Sequence, residues 1–234
     1  MLRSAAIALF LFALASGASG RPPDRSVAVP APAPHSPDGR APVVIFHDDM
    51  ESGAPGWTHG DETAQESPRF HVTSGYAYAG GACWWCGGPE PSFAGGDGYG
   101  NGWDERLDIP ELDLTAAQYP LLTFAYRCDS EPGYDATTVE AVVGGAYVAL
   151  GAAYDGSSGG WVSLGANGYL LDHCDHPFRG RFRFTSDEAF SDEDGLYDSD
   201  GGAFLVDDIR IFDYYGGDDY FFDDVESGGL CTPS

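Results

Sequence analysis

Apolar and polar residues alternate along most of this chain with the period of two that half-buried strands require, and the 3.6-residue rhythm of an amphipathic helix is hard to find. In GRFRFTSD, residues 180–187, Phe182 and Phe184 fall on one face and Arg181, Arg183 and Thr185 on the other. TTVEAVVGGAYVAL, residues 137–150, predicts two strands joined at Gly144-Gly145, because paired glycines supply the positive φ angles of a tight hairpin. LLTFAYRC (121–128) and AFLVDDIRIF (203–212) are apolar on both faces apart from a few positions, as central strands are. Short strands bounded by Gly, Asp, Pro and Ser, with two buried ones among them, predict an all-β fold. The expected architecture is a jelly-roll β-sandwich of two packed antiparallel sheets.

The ends of the chain read differently. Arg3, an apolar run from Ala5 to Ala15 and the small-residue string SGASG have the form of a secretory signal peptide over residues 1–20. A run of about eleven apolar residues is too short to span a bilayer as a helix. The expectation is export to a secreted or cell-surface location, with cleavage between Ala15 and Gly20. Residues 21–42 are rich in proline and alanine, lack an apolar period and predict an extended linker. The folded part is then 43–214, long enough for one substantial core. FHDDMESG, residues 46–53, returns as FFDDVESG, residues 221–228, with six of eight letters matching at an offset of 175. That spacing suits one complete domain followed, over 215–234, by a linker and the truncated first strand of a second repeat.

Charge narrows the partners. The chain has 37 acidic and 11 basic residues, a net charge of -26, and every basic residue is arginine. Such a surface is repelled by nucleic acid and by anionic membranes, and it suits binding of cations or life in high salt. A plainer reading is solvation, with arginine favoured over lysine by a GC-rich genome. The five cysteines are an odd number for an exported protein, in which disulfides are allowed. Cys231, in the fragment of the second repeat, is the expected odd one, and Cys128 with Cys174 the expected pair. Cys83 and Cys86 of CWWC lie too far apart on an extended strand to bridge, and no βαβ setting supports a redox pair.

Candidate chemistry lies mainly in the acids. Strand alternation places His47, Asp49 and Glu51 on one face, and Asp224 and Glu226 recur in the same phase. Two carboxylates at i and i+2 repel unless a cation or strong donors lie between them. Asp207 is expected to share its face with Leu205, Ile209 and Ile211, and a carboxylate among core residues needs a partner. With the first and last strands as neighbours, Asp49, Glu51, Asp207 and Asp208 would enclose one Ca²⁺, a hard cation that prefers oxygen ligands. The alternative is that these acids cap turns or accept backbone hydrogen bonds. Residues 185–202 carry seven acids and two D-x-D-G phrases without EF-hand spacing, so they read as a solvated acidic loop or a second calcium site. Trp84 and Trp85 point to opposite faces; both suit a core, while an exposed one would be a platform for a sugar ring. His47, His71, His173 and His176 form no ligand pattern. The zinc-protease helix, the serine-hydrolase elbow and the E-x-D-x-x-E strand of jelly-roll glycosidases are all missing.

FHDDMESGAPGW, RFHVTSGYAYAGGACWWCG, GYGNGWDERLDIPELDLT, EPGYDATTVEA, RFRFTSD and FLVDDIRI, in this order and spacing, resemble the MAM-like, concanavalin A-like jelly rolls called choice-of-anchor J or cleaved-adhesin domains. Such domains occur in exported bacterial proteins, including immune inhibitor A-type peptidases, and the resemblance covers nearly all of 43–214. It implies a non-catalytic, calcium-stabilised module for adhesion or for recognition of a glycan or extracellular protein. It also implies a metal neighbourhood at Asp49, Glu51, Asp207 and Asp208. No protease, sorting domain or full second copy accompanies the motifs. The rival readings are a concanavalin A-like glycoside hydrolase or lyase with an atypical active site, and a purely structural spacer repeat.

Overall fold

The structure is a computed structural model that describes residues 42–63, 69–89, 93, 96–117, 120–163, 169–170 and 175–213. The expected signal peptide, linker, second-repeat fragment, Cys174 and Cys231 lie outside the described residues. In chain order the strands are β1 (Val43–Asp48), β2 (Thr58–Asp61), β3 (Phe70–Thr73), β4 (Cys83–Cys86), β5 (Gly88–Pro89), β6 (Asp97–Gly98) and β7 (Asp104–Asp108). They continue with β8 (Pro120–Cys128), β9 (Ala136–Val143), β10 (Ala146–Ala149), β11 (Val162–Ser163), β12 (Tyr169–Leu170), β13 (Gly180–Thr185) and β14 (Phe204–Asp213).

Two antiparallel sheets face each other, as the alternation predicts. The first has the order β11-β8-β14-β4-β3, with β1 also on β14 and β12 also on β8; the second has the order β10-β9-β13-β7-β2. The chain crosses repeatedly between the sheets, which makes this a jelly-roll β-sandwich. The Gly144-Gly145 turn joins β9 to β10 with φ of 58° and 84°. β14 is central, and its free side is shared end to end: residues 204–206 pair with β4 and residues 209–213 with β1.

The core fills the space between the sheets. Phe182 and Phe184 of β13 and Leu107 of β7 meet Leu122 and Phe124 of β8 and Phe204, Val206, Ile209 and Ile211 of β14. Phe124 stands edge-on to Phe182 across the sandwich, with centroids 5.1 Å apart and planes at 89°, the arrangement an aromatic quadrupole favours. A second, smaller cluster lies on the outer face of the seven-stranded sheet: Cys83, Trp85 and Leu205, covered in part by Tyr76 and Trp161.

One expectation about β14 is corrected. Its pairing to β8 shifts register between Asp207 and Arg210, and Asp208 has a φ of 49°, so an extra residue bulges out and the alternation restarts. Asp207 therefore falls in phase with outward-facing Leu205 and not with Ile209 and Ile211, which enter the core. CWWC divides as alternation requires: Trp84 and Cys86 enter the main core, Cys83 and Trp85 the outer cluster. Cys83, Cys86 and Cys128 carry free thiols, and burial pushes the Cys83 and Cys86 thiols well up, which makes them unreactive at neutral pH.

Candidate functional site

β1 and β14 are neighbours, as the calcium expectation required, with Asp48 opposite Ile209. The four nominated acids nevertheless go to separate partners. Asp207 is fully buried beneath the segment joining β3 to β4, and its Oδ2 accepts from the Tyr78 and Ala79 amides at 2.9 and 3.1 Å. Its Oδ1 accepts from the Asp208 amide at 2.6 Å. Glu51 Oε1 accepts from two further amides of the same segment, Gly81 and Ala82, at 2.7 and 2.8 Å. Asp49 caps the Glu51 amide at 3.2 Å, and Asp208 binds His47 at 2.8 Å and Arg210 at 2.6 Å. Burial raises the Asp207 carboxyl to about 6 even though its three amide bonds act in the other direction. No three of these four acids bring oxygens within 4.8 Å of one another. The groups that face Glu51 and Asp207 are N–H donors, which repel a cation. As placed, the four acids do not fit Ca²⁺: Asp207 and Glu51 act as acceptors that tie the β3–β4 segment down, while Asp49 and Asp208 serve a local turn and an ion pair.

The acidic segment after β13 is wired in the same way. Asp192 is buried and accepts from the Tyr99 amide at 2.9 Å and from the Ser199 amide and hydroxyl at 2.8 and 2.7 Å. Asp194 caps the Phe190 and Leu196 amides at 2.7 and 2.9 Å. Beside it, Glu131, Asp135 and Asp187 set carboxylate oxygens within 4.8 Å of one another, the one such group among the described residues. Burial, followed by the neighbouring acids, raises Glu131; burial likewise raises Asp135, which accepts from the Tyr99 hydroxyl at 2.8 Å and the Asp187 amide at 2.8 Å.

Trp84 and Trp85 are 5% and 4% exposed, so neither offers a ring face to a ligand. Trp85 donates to the Gly201 carbonyl at 2.7 Å and packs on His71 and Tyr76.

The polar surface that sequence reading did not assemble is the outer face of the five-stranded sheet. Arg181 and Arg183 of β13 point there, as do Glu140 of β9, Asp104, Arg106 and Asp108 of β7, and Thr58 of β2. Arg183 stands directly opposite Arg106, two like charges that would repel if left alone. Carboxylates separate them. Asp104 takes Arg183 through two parallel bonds of 2.7 Å, and Arg106 is shared by Asp108 and Glu62. Arg181 binds Glu140 at 2.6 Å, and its guanidinium lies 3.9 Å from the centroid of the Tyr147 ring on β10. Thr58 donates to Asp108 at 2.9 Å. Gly60 makes room for the array, since a Cβ there would come within 2.8 Å of the Arg106 guanidinium.

These groups border a recess of about 530 Å³, within the range of small-ligand sites, whose lining includes Thr58, Glu62, Arg106, Asp108, Tyr147 and Arg181. Arg179 and Glu111 complete its charged lining, giving three guanidiniums and three carboxylates. Chemically it offers fixed planar donors, fixed acceptors and one aromatic ring. The available signal was the alternation of DERLD against RFRF, which sends three charges from one strand and two from the other to a single face.

A scan of protein-family models finds no match to this chain, and neither does a search of curated proteins. Among solved structures, the K3 cleaved adhesin domain of Lys-gingipain from Porphyromonas gingivalis W83 is similar at a TM-score of 0.45 and 18% identity, covering 72% of this chain and 98% of that one. The CBM22-1 xylan-binding domain from Paenibacillus barcinonensis Xyn10C scores 0.45 at 16% identity, covering 75% and 97%. TmCBM61 in complex with β-1,4-galactotriose scores 0.43 at 11% identity, covering 70% and 94%. These are sandwich domains of similar extent, and at such scores the likeness says nothing about which molecule this chain binds.

Proposed function

We propose that this chain is an exported, non-catalytic binding module that recognises a neutral polysaccharide on the outer face of its five-stranded sheet. The observation that carries this reading is the recess beside Tyr147, where the Arg106 and Arg181 guanidiniums are already paired with carboxylates and held in place. A sugar presents hydroxyls that both donate and accept, plus C–H faces that pack on an aromatic ring. Arg106 and Arg181 supply donors, Asp108 and Glu62 supply acceptors, and Tyr147, 40% exposed, supplies the ring. Because its groups are held by one another, little side-chain freedom is lost on binding. The equal number of positive and negative groups in the lining favours a neutral ligand, and the overall charge of -26 repels an acidic one. Export rests on the signal-like residues 1–20.

Binding suits this face better than hydrolysis does. A glycosidase sets one protonated and one ionised carboxyl on either side of the scissile bond. Asp108 and Glu62 instead share the single guanidinium of Arg106.

The test is affinity electrophoresis through gels containing xylan, galactan, mannan or xyloglucan, with Tyr147→Ala and Arg181→Ala beside the wild type. Retardation by at least one polymer is expected, weakened about tenfold or more by either substitution, the range for loss of a central aromatic or arginine anchor. Retardation that survives both substitutions, or none on any polymer, would sink the proposal.

A further inference from the structure

One end of the sandwich turns apolar side chains to water. Tyr134 and Leu196, 68% and 61% exposed, are the most exposed large apolar residues among those described, and Phe190 is 49% exposed. Tyr134 lies in residues 129–135, which join β8 to β9, and the other two lie in residues 186–203, which join β13 to β14. Both loops leave the sandwich at the same end, since Thr185 pairs with Ala136 and Phe204 with Cys128. None of the three lines the recess beside Tyr147, so this surface is separate from the polysaccharide face. Exposed apolar groups gathered in one region mark interaction sites more often than scattered ones do.

The backbone that presents these side chains is held in place. One carboxylate, that of Asp194, caps the amides of both Phe190 and Leu196, so the two side chains spring from neighbouring points. The Tyr99 hydroxyl donates to Asp135 at 2.8 Å and accepts from the Glu131 amide at 2.9 Å, and Asp135 also accepts from the Asp187 amide at 2.8 Å. Those bonds clamp the two loops together. Phe190 has a φ of 65°, the left-handed region in which a bulky residue is strained and glycine is not. Folding alone gives no reason to set a half-exposed aromatic ring there, and strain of this kind collects at functional positions.

Charge identifies what covers them. Residues 129–135 contain three acids and residues 186–202 seven, with no arginine in either. Asp187, Glu188, Glu193, Asp194 and Asp198 are exposed, and none of the five has an ion-pair partner among the described residues. Glu131, Asp135 and Asp187 bring carboxylate oxygens within 4.8 Å of one another. We propose that this end of the sandwich docks another protein, through a basic segment of that protein in which arginine or lysine alternates with apolar residues. Its apolar side chains cover Phe190, Leu196 and Tyr134, and its cationic groups face the surrounding acids, the usual division of an interface into apolar centre and polar rim. Other occupants fit less well. A metal ion uses the carboxylates but leaves the three apolar side chains in water. A second copy of this chain brings the same acids and is repelled, and a neutral glycan brings no positive charge.

Fluorescence anisotropy with the full chain tests this, using labelled peptides of alternating Arg-Leu, Arg-Ser and Glu-Leu at physiological salt. The Arg-Leu peptide should be held about tenfold or more tightly than the other two, the scale of a few anchor residues. Phe190→Ser with Leu196→Ser should remove that advantage, and Glu131→Gln with Asp187→Asn should weaken binding and flatten its salt dependence. Equal affinity for Arg-Leu and Arg-Ser, or Arg-Leu affinity unchanged by Phe190→Ser with Leu196→Ser, overturns the proposal, because the attraction would then be generic to a chain of charge -26. The absence of binding to Arg-Leu overturns it as well. Calcium binding in calorimetry that Glu131→Gln abolishes, with no hold on the Arg-Leu peptide, also overturns it and makes the acids a metal site. As a second readout, Phe190→Gly should melt no lower than the wild type, since glycine relieves the φ of 65°. A clear fall in melting temperature would mean that the ring serves folding, and the docking surface would lose its central anchor.

Discussion

The buried carboxyl of Asp207 should leave a measurable signature in the pH dependence of folding. It is fully buried on the outer face of the seven-stranded sheet, and burial raises it to about 6 despite three amide donors. The ordinary value, which the unfolded chain approaches, is 3.8. The folded state therefore holds this proton more tightly than the unfolded state does. Its contribution to stability is fully present about one unit below that ordinary value, near pH 3, and is lost as pH rises through about 6. A shift of roughly two units corresponds to about 3 kcal/mol between those limits. Replacing Asp207 by Asn removes the titration. Urea unfolding of the wild type and Asp207→Asn at pH 4 to 8 isolates the residue, because the other acids are common to both. The wild type should gain on the variant by about 2 kcal/mol as pH falls from 7 to 4, with more than half of that change complete by about pH 5. A difference that stays flat, or that grows as pH rises, would refute the argument, because it would mean that Asp207 is stabilised as an anion.

The remaining predictions concern the metal, the core and the binding face. Melting curves of the full chain in EDTA and in millimolar Ca²⁺ should coincide, and Glu51→Ala should lower both equally; a calcium-selective rise that Glu51→Ala removes would show that the four amides give way to a cation. Phe182→Ala, which empties the position facing Phe124, should cost about 3–5 kcal/mol in urea unfolding; a loss below about 1 kcal/mol would mean that the sandwich interior is not packed as described. Gly60→Val should cost less than about 1 kcal/mol, because the group it meets is the movable end of Arg106. It should nonetheless displace that guanidinium from Asp108 and Glu62 and weaken polysaccharide retardation; unchanged retardation would remove Arg106 from the site.

Features set within a few residues were legible in the sequence, and features set by neighbours across the sheets were not. The alternation of Phe182 and Phe184 with Arg181 and Arg183 and the Gly144-Gly145 turn depend on local geometry alone. The bulge at Asp208 does not: AFLVDDIRIF can be threaded with or without an extra residue, and what holds Asp207 outward is a set of amides from residues 78 and 79, more than a hundred positions away. The acid recurrence in FHDDMESG was likewise visible, but a carboxylate that accepts amides and one that binds a cation look identical in sequence. The two tryptophans were correctly set on opposite faces, and burial of the outer one depends on Tyr76 and Trp161 closing over it. The charged outer face of the five-stranded sheet is the extreme case. Arg181 and Arg183 could be read as outward-pointing, but outward meant solvent until the order β10-β9-β13-β7-β2 set Tyr147, Glu140, Asp104, Arg106 and Asp108 around them. A jelly roll draws adjacent strands of one sheet from distant parts of the chain, so a site on its sheet face is a property of strand order, and strand order is what alternation cannot encode.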